Sequence, residues 1–272
     1  MRSTDSSGPA ARRYTARAMP ETPISFDANE PLPLTGERTA PGVPEENYWF
    51  QRHVIAYDFV ARYVRGARVL DAGCGEGYGA DRLTAVAAEV TGVDLEEPVI
   101  RRAASRYPRA RFDAANLVSL PYADGAFDAV VSLQVIEHLH SPQEFLAECA
   151  RVLAPGGVLV ISTPNRLTFS PDGMRNPFHT FEFAPDELRA TIAQQFSSIE
   201  LAGTFHGARV RLLEMILRKP FPERLIEQPV PEWPGWLRAT VERARPSDFA
   251  IRWESRSGGL DRSLDLIAIA RR

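Results

Sequence analysis

The chain has 272 residues, 44% of them hydrophobic, which suits one α/β domain with added segments. A net charge of −3 gives no global electrostatic case for nucleic acid or an anionic membrane surface. No apolar run approaches the roughly 20 residues that a membrane span needs.

No apolar N-terminal stretch resembles a signal peptide. The two cysteines, Cys74 and Cys149, are too few for a disulfide framework or a multi-thiolate zinc site, so a reduced, cytoplasmic, soluble protein is expected. Lys219 is the only lysine among 32 basic residues, a compositional bias that says little about chemistry.

Residues 1–25, rich in Ser, Pro, Ala and Arg, lack apolar periodicity and are expected to be a disordered tail. Residues 26–65 form an N-terminal lid segment. It is Pro-rich at first, then helical through Tyr48, Trp49, Phe50, Val54, Tyr57, Phe59 and Val60. That aromatic face either packs in the core or closes over a ligand.

From residue 66 short apolar runs alternate with helical stretches. Strands are expected near 68–70, 89–93, 110–113, 127–133 and 157–162, and helices near 78–88, 98–106 and 141–153. Continuous apolar strands separated by helices predict a parallel sheet covered on both faces. A loop follows over 163–180, then a helix near 185–195 and a strand near 198–205. Residues 66–207 are read as the ligand-binding core, 208–246 as a helical, proline-broken cap, and 247–272 as the segment whose strand near 264–270 completes the sheet. The two late strands are expected to pair antiparallel at an edge.

The chemistry concentrates in Val69-Leu70-Asp71-Ala72-Gly73-Cys74-Gly75-Glu76-Gly77. In an open parallel sheet ligands bind beyond the carboxyl ends of the strands. Alternate glycines let a ligand approach the backbone, and the next helix offers free N–H groups. A dinucleotide fingerprint needs a third glycine at position 78, which is Tyr78. Asp71 also precedes the first glycine, where a pyrophosphate would not favour a carboxylate and a cationic ligand would. Both features point away from NAD and toward S-adenosylmethionine, whose sulfonium and ammonium are positive.

Asp94, ending strand two, can accept both ribose hydroxyls, with Leu95 against the adenine; a generic turn Asp would look the same. Asn116 and the Leu117 backbone N–H fall where an adenine edge would come, although Asn116 could equally cap a turn.

These residues, together with Leu120-Pro121-Tyr122-Ala123-Asp124-Gly125-Ala126-Phe127-Asp128 and Val135-Ile136-Glu137-His138-Leu139, resemble a class I S-adenosylmethionine-dependent methyltransferase over about residues 66–165. The resemblance implies a Rossmann-like, seven-stranded, mostly parallel sheet with its last strand antiparallel. It also implies a cofactor site built from Asp71, Gly73, Cys74, Gly75, Gly77, Asp94, Leu95, Asn116, Leu117 and Gln134, with Tyr48 and His53 reaching in from the lid. Segments outside that region, among them Pro33-Leu34-Thr35-Gly36-Glu37-Arg38, Glu45-Glu46-Asn47-Tyr48-Trp49-Phe50 and Asn176-Pro177-Phe178-His179-Thr180, are similar to an actinobacterial subgroup. Its mycobacterial members belong to the gene cluster for 6-O-methylglucose lipopolysaccharide, which implies a small-molecule or oligosaccharide acceptor and O-methylation of a sugar hydroxyl.

Methyl transfer to oxygen is an in-line displacement, and a sugar hydroxyl benefits from a base. Of five histidines, His138 is favoured as base or acceptor orienter, with His179 next and Glu137 beside them; a structural Glu-His pair at a helix start is the bland alternative. Some relatives place a divalent metal using a Glu three residues before that pair. Here the position is Gln134, a poor ligand for hard cations, so no metal is expected and magnesium is unsupported, although Glu182 and Asp172 could build a site in the loop. The competing readings are a methyltransferase for a phenolic or quinone-precursor acceptor, with Trp233 and Trp236 lining a slot, a NAD-dependent oxidoreductase, and an inactive cofactor-binding partner.

Overall fold

The computed structural model describes residue 39 and residues 41–171, 173, 176, 178–217, 230–255 and 259–272. The expected tail, the motif from Pro33 to Arg38, and Asp172 lie outside the described residues.

The apolar runs form strands β1 (Arg68–Ala72), β2 (Glu89–Asp94), β3 (Arg111–Ala114), β4 (Phe127–Leu133) and β5 (Leu153–Pro164), which pair in parallel. Three more strands, β6 (Ser198–His206), β7 (Phe249–Trp253) and β8 (Asp265–Arg271), complete one sheet in the order β3-β2-β1-β4-β5-β8-β6-β7. β8 lies antiparallel between β5 and β6, as expected of the two late strands.

The sheet has eight strands, not the expected seven. The additional strand is β7, which pairs antiparallel with β6, so β6 and β8 are not at the edge. β7 reads Phe-Ala-Ile-Arg-Trp and its last two residues are exposed. An edge strand with one neighbour buries too little to carry a continuous apolar run.

Alternate residues of the central strands feed two separate cores. Val130, Leu159, Ile161, Leu266 and Ala268 pack with Phe145, Leu146, Cys149 and Val152 of α4 (Pro142–Val152) and with Leu188 and Ile192 of α6 (Pro185–Ile192). Ala129, Val131, Val158, Val160 and Ile267 face the other way. They meet Ala56, Tyr57, Phe59 and Val60 of the N-terminal helix α1 (Asn47–Val60), and Ala80 and Leu83 of α2 (Tyr78–Leu83). This period-2 split is what makes each strand apolar throughout. Truncating a fully buried side chain such as Ile161 is predicted to cost about 2–5 kcal/mol. The remaining helices are α3 (Glu97–Arg106), the short α5 (Arg166–Phe169), α7 (Ala208–Leu217) and α8 (Gly235–Glu242).

A third cluster joins α1 to the late helices through Tyr48, Val210, Trp233, Leu237, Val241 and Phe249. No helix among the described residues is long and apolar enough to cross a membrane.

Candidate functional site

β1 has β2 on one side and β4 on the other, so the strand order reverses there and a crevice opens past the carboxyl ends. The loop after β1 turns through Gly73 (φ +81°) and Gly77 (φ +83°). A Cβ on Gly73 would sit 2.5 Å from Val135 Cγ2, so glycine here lets the segment leaving β4 pass close by. Gly73 N and Cys74 N donate to Val93 O at 2.7 and 2.9 Å, and Gly75 N donates to Asp94 Oδ2 at 2.9 Å. Asp94 therefore faces the loop. Beside it Leu95 is 69% exposed, a large apolar side chain left in the open. Cys74 is turned under the loop and buried, and burial with the nearby Asp71 and Asp94 carboxylates pushes its thiol well up. It is a structural residue rather than a nucleophile.

Asp71 is fully buried, and Tyr57 Oη donates to it from α1 with both carboxylate oxygens at 3.2 Å. Burial pushes the Asp71 carboxyl up to about 7, against the Tyr57 hydrogen bond, and Asp94 adds to the rise. Tyr57 was not expected at the site. It lies fourteen residues upstream on a helix, and nothing in the local pattern separates it from its core neighbours.

His53 Nδ1 lies 2.8 Å from Tyr78 Oη, with Thr39 Oγ1 3.1 Å from His53 Nδ1, so α1 reaches the end of the glycine loop. Burial pushes His53 down to about 4 against Asp265, so it is a neutral hydrogen-bonding group and not a cation for a carboxylate. Tyr48, expected at the cofactor, is placed elsewhere. It is buried, its Oη is 2.5 Å from His206 Nε2, and its ring packs on Phe249. The apolar surface of Tyr48 is used up by the third cluster. Trp233 is likewise buried there, while Trp236 is exposed.

Asn116 is exposed and its Oδ1 accepts from Val118 N at 3.1 Å, a local turn-capping bond; Leu117 is buried in the core. The amide oxygen that would read an adenine amine is thus engaged in its own turn.

At the end of β4, Gln134 adopts φ +58°, a left-handed conformation that costs a non-glycine residue about 1–3 kcal/mol. Its Nε2 donates to Ser162 Oγ at 3.0 Å, fastening β4 to β5 at the crevice. The 3-10 turn Ile136–His138 follows. Glu137 is buried, and Thr163 Oγ1 donates to its Oε2 at 3.0 Å. Its backbone oxygen accepts from Thr180 N and Phe181 N at 2.7 and 3.1 Å, which pins the loop after β5 against the turn. That pinning brings His179 to His138, with ring centroids 5.1 Å apart.

His138 Nδ1 is 3.0 Å from Phe178 O, and His179 Nδ1 is 3.1 Å from Glu182 Oε1. Burial pushes Glu137 up to about 8, against the hydrogen bond from Thr163. Burial also pushes His179 down, against Glu182, which favours the uncharged imidazole. The three residues expected to act in catalysis are therefore adjacent, although they come from two separate loops. One donor atom from each of Glu137, His138 and His179 lies within 4.8 Å of the others. His140 is exposed, and His206 is held by Tyr48 and by Glu214, whose Oε1 is 2.9 Å from His206 Nδ1.

Comparison with known proteins fits this geometry. Residues 70–161 match the family described as a methyltransferase domain. A probable S-adenosylmethionine-dependent methyltransferase of Mycolicibacterium smegmatis is 45% identical over 244 residues, which is 88% of this chain and 95% of that protein. A protein of the same description from Mycobacterium tuberculosis is 44% identical over 244 residues, 88% of this chain and 89% of its own. A ubiquinone biosynthesis O-methyltransferase of a Caulobacter species is 32% identical over 160 residues, covering 52% of this chain and 62% of that protein. Among solved structures, a Thermotoga maritima methyltransferase described as a possible histamine N-methyltransferase has a TM-score of 0.55 at 17% identity, over 82% of this chain and 92% of its own. The [4+2]-cyclase SpnF has a TM-score of 0.54 at 24% identity, over 84% of each chain. One fold thus carries two differently named activities, so these structures speak for architecture alone.

Proposed function

The chain belongs to the S-adenosylmethionine-dependent methyltransferases, and from that premise we propose that it methylates a sugar hydroxyl as an O-methyltransferase of polymethylated polysaccharide (methylglucose lipopolysaccharide) biosynthesis. The observation that carries this reading is the Glu137–His138–His179 cluster, held at the carboxyl ends of β4 and β5 within reach of an acceptor in the crevice. Support for the sugar comes from the chain-long similarity to the mycobacterial proteins.

Bound S-adenosylmethionine supplies an electrophilic methyl carbon. The residues present suit it: Asp94 offers carboxylate oxygens for the ribose, exposed Leu95 an apolar face for the adenine, and the Gly73–Gly77 loop close backbone approach. Asp71 and Gln134 lie beneath and beside that loop, Leu117 and Asn116 border the adenine end, and His53 closes over it from α1. His138 orients the acceptor hydroxyl through Nε2 and is placed to take its proton, with His179 as its neighbour. An imidazole nitrogen can both accept that hydrogen bond and take the proton. Residues 26–65 act as a lid, 66–207 as the cofactor-binding core, 208–246 as a cap over the acceptor, and 247–272 complete the sheet.

The test is label transfer from S-[methyl-14C]adenosylmethionine to a panel of free and partly methylated glucosides set against phenols. The reading predicts label on the glucosides. Label on phenols alone would replace it with the phenolic or quinone-precursor reading, which the partial similarity to the Caulobacter enzyme favours.

A further inference from the structure

We propose that Glu182 is a positioning residue for the transfer: its buried carboxylate fixes the His179 ring beside His138 and supplies the negative charge that stabilises the His138 imidazolium formed when the acceptor hydroxyl loses its proton. The inference rests on the proposed function for His138 as the proton acceptor. Three observations carry it.

The first is the missing counter-charge on His138. Its Nδ1 is 3.0 Å from Phe178 O, and a carbonyl oxygen can only accept, so Nδ1 carries the proton and Nε2 the lone pair. A histidine base becomes a cation as it works, and a third group commonly orients it and answers that charge. Phe178 O orients the ring but is neutral.

The second is which nearby carboxylate can answer. Burial pushes Glu137 up to about 8, so it stays mostly protonated at neutral pH. Asp265 of β8 is held by Arg52 in a buried ion pair at 2.6 Å. Glu182 has no arginine partner among the described residues. Its side chain is 1% exposed, and its Oε1 accepts from Asn176 N at 3.2 Å and from His179 Nδ1 at 3.1 Å. Its Oε2 has no hydrogen-bond partner among the described residues. A carboxylate buried with one oxygen unanswered is costly unless a positive charge is near. A proton arriving on His138 brings that charge one imidazole away.

The third is the contact that carries the effect. The His138 and His179 rings meet edge to face, with centroids 5.1 Å apart, and Phe169 lies against His179 at 5.2 Å. Thr180 N and Phe181 N, bonded to Glu137 O, hold the loop to the turn. The Glu182 charge is felt at that turn, since after burial it is among the groups that raise Glu137. Burial lowers His179 and His138 adds to the fall, which favours one proton on the two rings over two. In a water-poor site such charges act strongly.

In the step itself the hydroxyl O–H bond breaks and its proton goes to His138 Nε2. The oxygen forms its bond to the methyl carbon as the carbon–sulfur bond breaks, with that electron pair staying on sulfur. Glu182 takes no proton and acts on the cation through the His179 ring. Among the described residues, the titratable groups set around His138 are Glu137 on its own turn, and His179 and Glu182 on the loop after β5.

The experiment uses the full chain labelled with 15N-histidine and titrated with acid by NMR, the His138 signal being assigned by its loss in His138→Gln. Glu182→Gln keeps the volume and an acceptor oxygen but removes the charge. In it the His138 ring should hold its proton less well, titrating about 1 pH unit lower. Its kcat should fall roughly 10-fold, a part of the roughly 10²–10⁴-fold that a base contributes, with S-adenosylhomocysteine affinity unchanged. Glu182→Asp, which keeps the charge, should restore most of kcat. His179→Phe, which keeps a ring against His138 and removes the bond to Glu182, should be slowed like Glu182→Gln and reads the same coupling if that variant does not fold. Circular dichroism checks the fold of each. A His138 titration unchanged in folded Glu182→Gln, or Glu182→Asp as slow as Glu182→Gln, would overturn the role. Glucosides methylated without a titration shift would sink this inference and leave the sugar reading standing. A titration shift with no glucoside methylated would sink the sugar reading and leave the coupling of Glu182 to His138 standing.

Discussion

Tyr57 Oη stands 3.2 Å from each carboxylate oxygen of Asp71, so the N-terminal helix is fastened to the strand that leads into the glycine loop. The bond compensates only part of the burial, because the Asp71 carboxyl still rises from an ordinary 3.8 to about 7. Between those values the folded protein holds a proton that the unfolded chain has released. Stability from this group therefore falls as pH rises from about 4 to about 7, and is level above that. Asp71→Asn removes the effect. Denaturant unfolding from pH 4 to pH 8 should show wild type losing up to about 4 kcal/mol relative to the variant over that window. A difference that does not change with pH would contradict the assignment.

Gly73→Ala is predicted to abolish measurable binding of S-adenosylhomocysteine. The new methyl group would lie 2.5 Å from Val135 Cγ2 at a φ of +81°. A loss of about 1–3 kcal/mol of stability should accompany it, read by thermal unfolding. Retained affinity together with unchanged stability would show that the loop relaxes more freely than its packing allows.

Asp94→Ala removes the carboxylate that answers Gly75 N and faces the crevice. Charge-assisted hydrogen bonds contribute about 1.5–3 kcal/mol, so the dissociation constant for S-adenosylhomocysteine should rise roughly 10–150-fold by calorimetry. An unchanged constant would place the ribose elsewhere.

Tyr48→Phe tests the contact between α1 and β6. Its hydroxyl is 2.5 Å from His206 Nε2, and its ring packs in the third cluster. Losing that buried contact should lower stability by about 1–3 kcal/mol and leave cofactor affinity within twofold. A large loss of affinity with intact stability would return Tyr48 to the cofactor site.

The parallel core was legible because β1, β2, β4 and β5 are covered on both faces, and double coverage forces continuous apolar runs. β7 was not, because an edge strand ending in Arg252 and Trp253 has no such constraint. Gly73 follows β1, Asp94 ends β2 and the Glu137–His138 pair lies in the turn past β4, places where strand position alone predicts function. Tyr57 could not be read this way. It matters through Asp71, a partner that only the tertiary fold brings near. Gln134 was singled out by its place after β4, but its positive φ has no signature in an amino acid that rarely adopts it.

The most direct test of the whole account is a crystal structure with S-adenosylhomocysteine bound. The account predicts the adenosine beside Asp94 and Leu95, with the sulfur facing the Glu137–His138–His179 cluster. A sulfur directed instead toward His206 and α7 would contradict it.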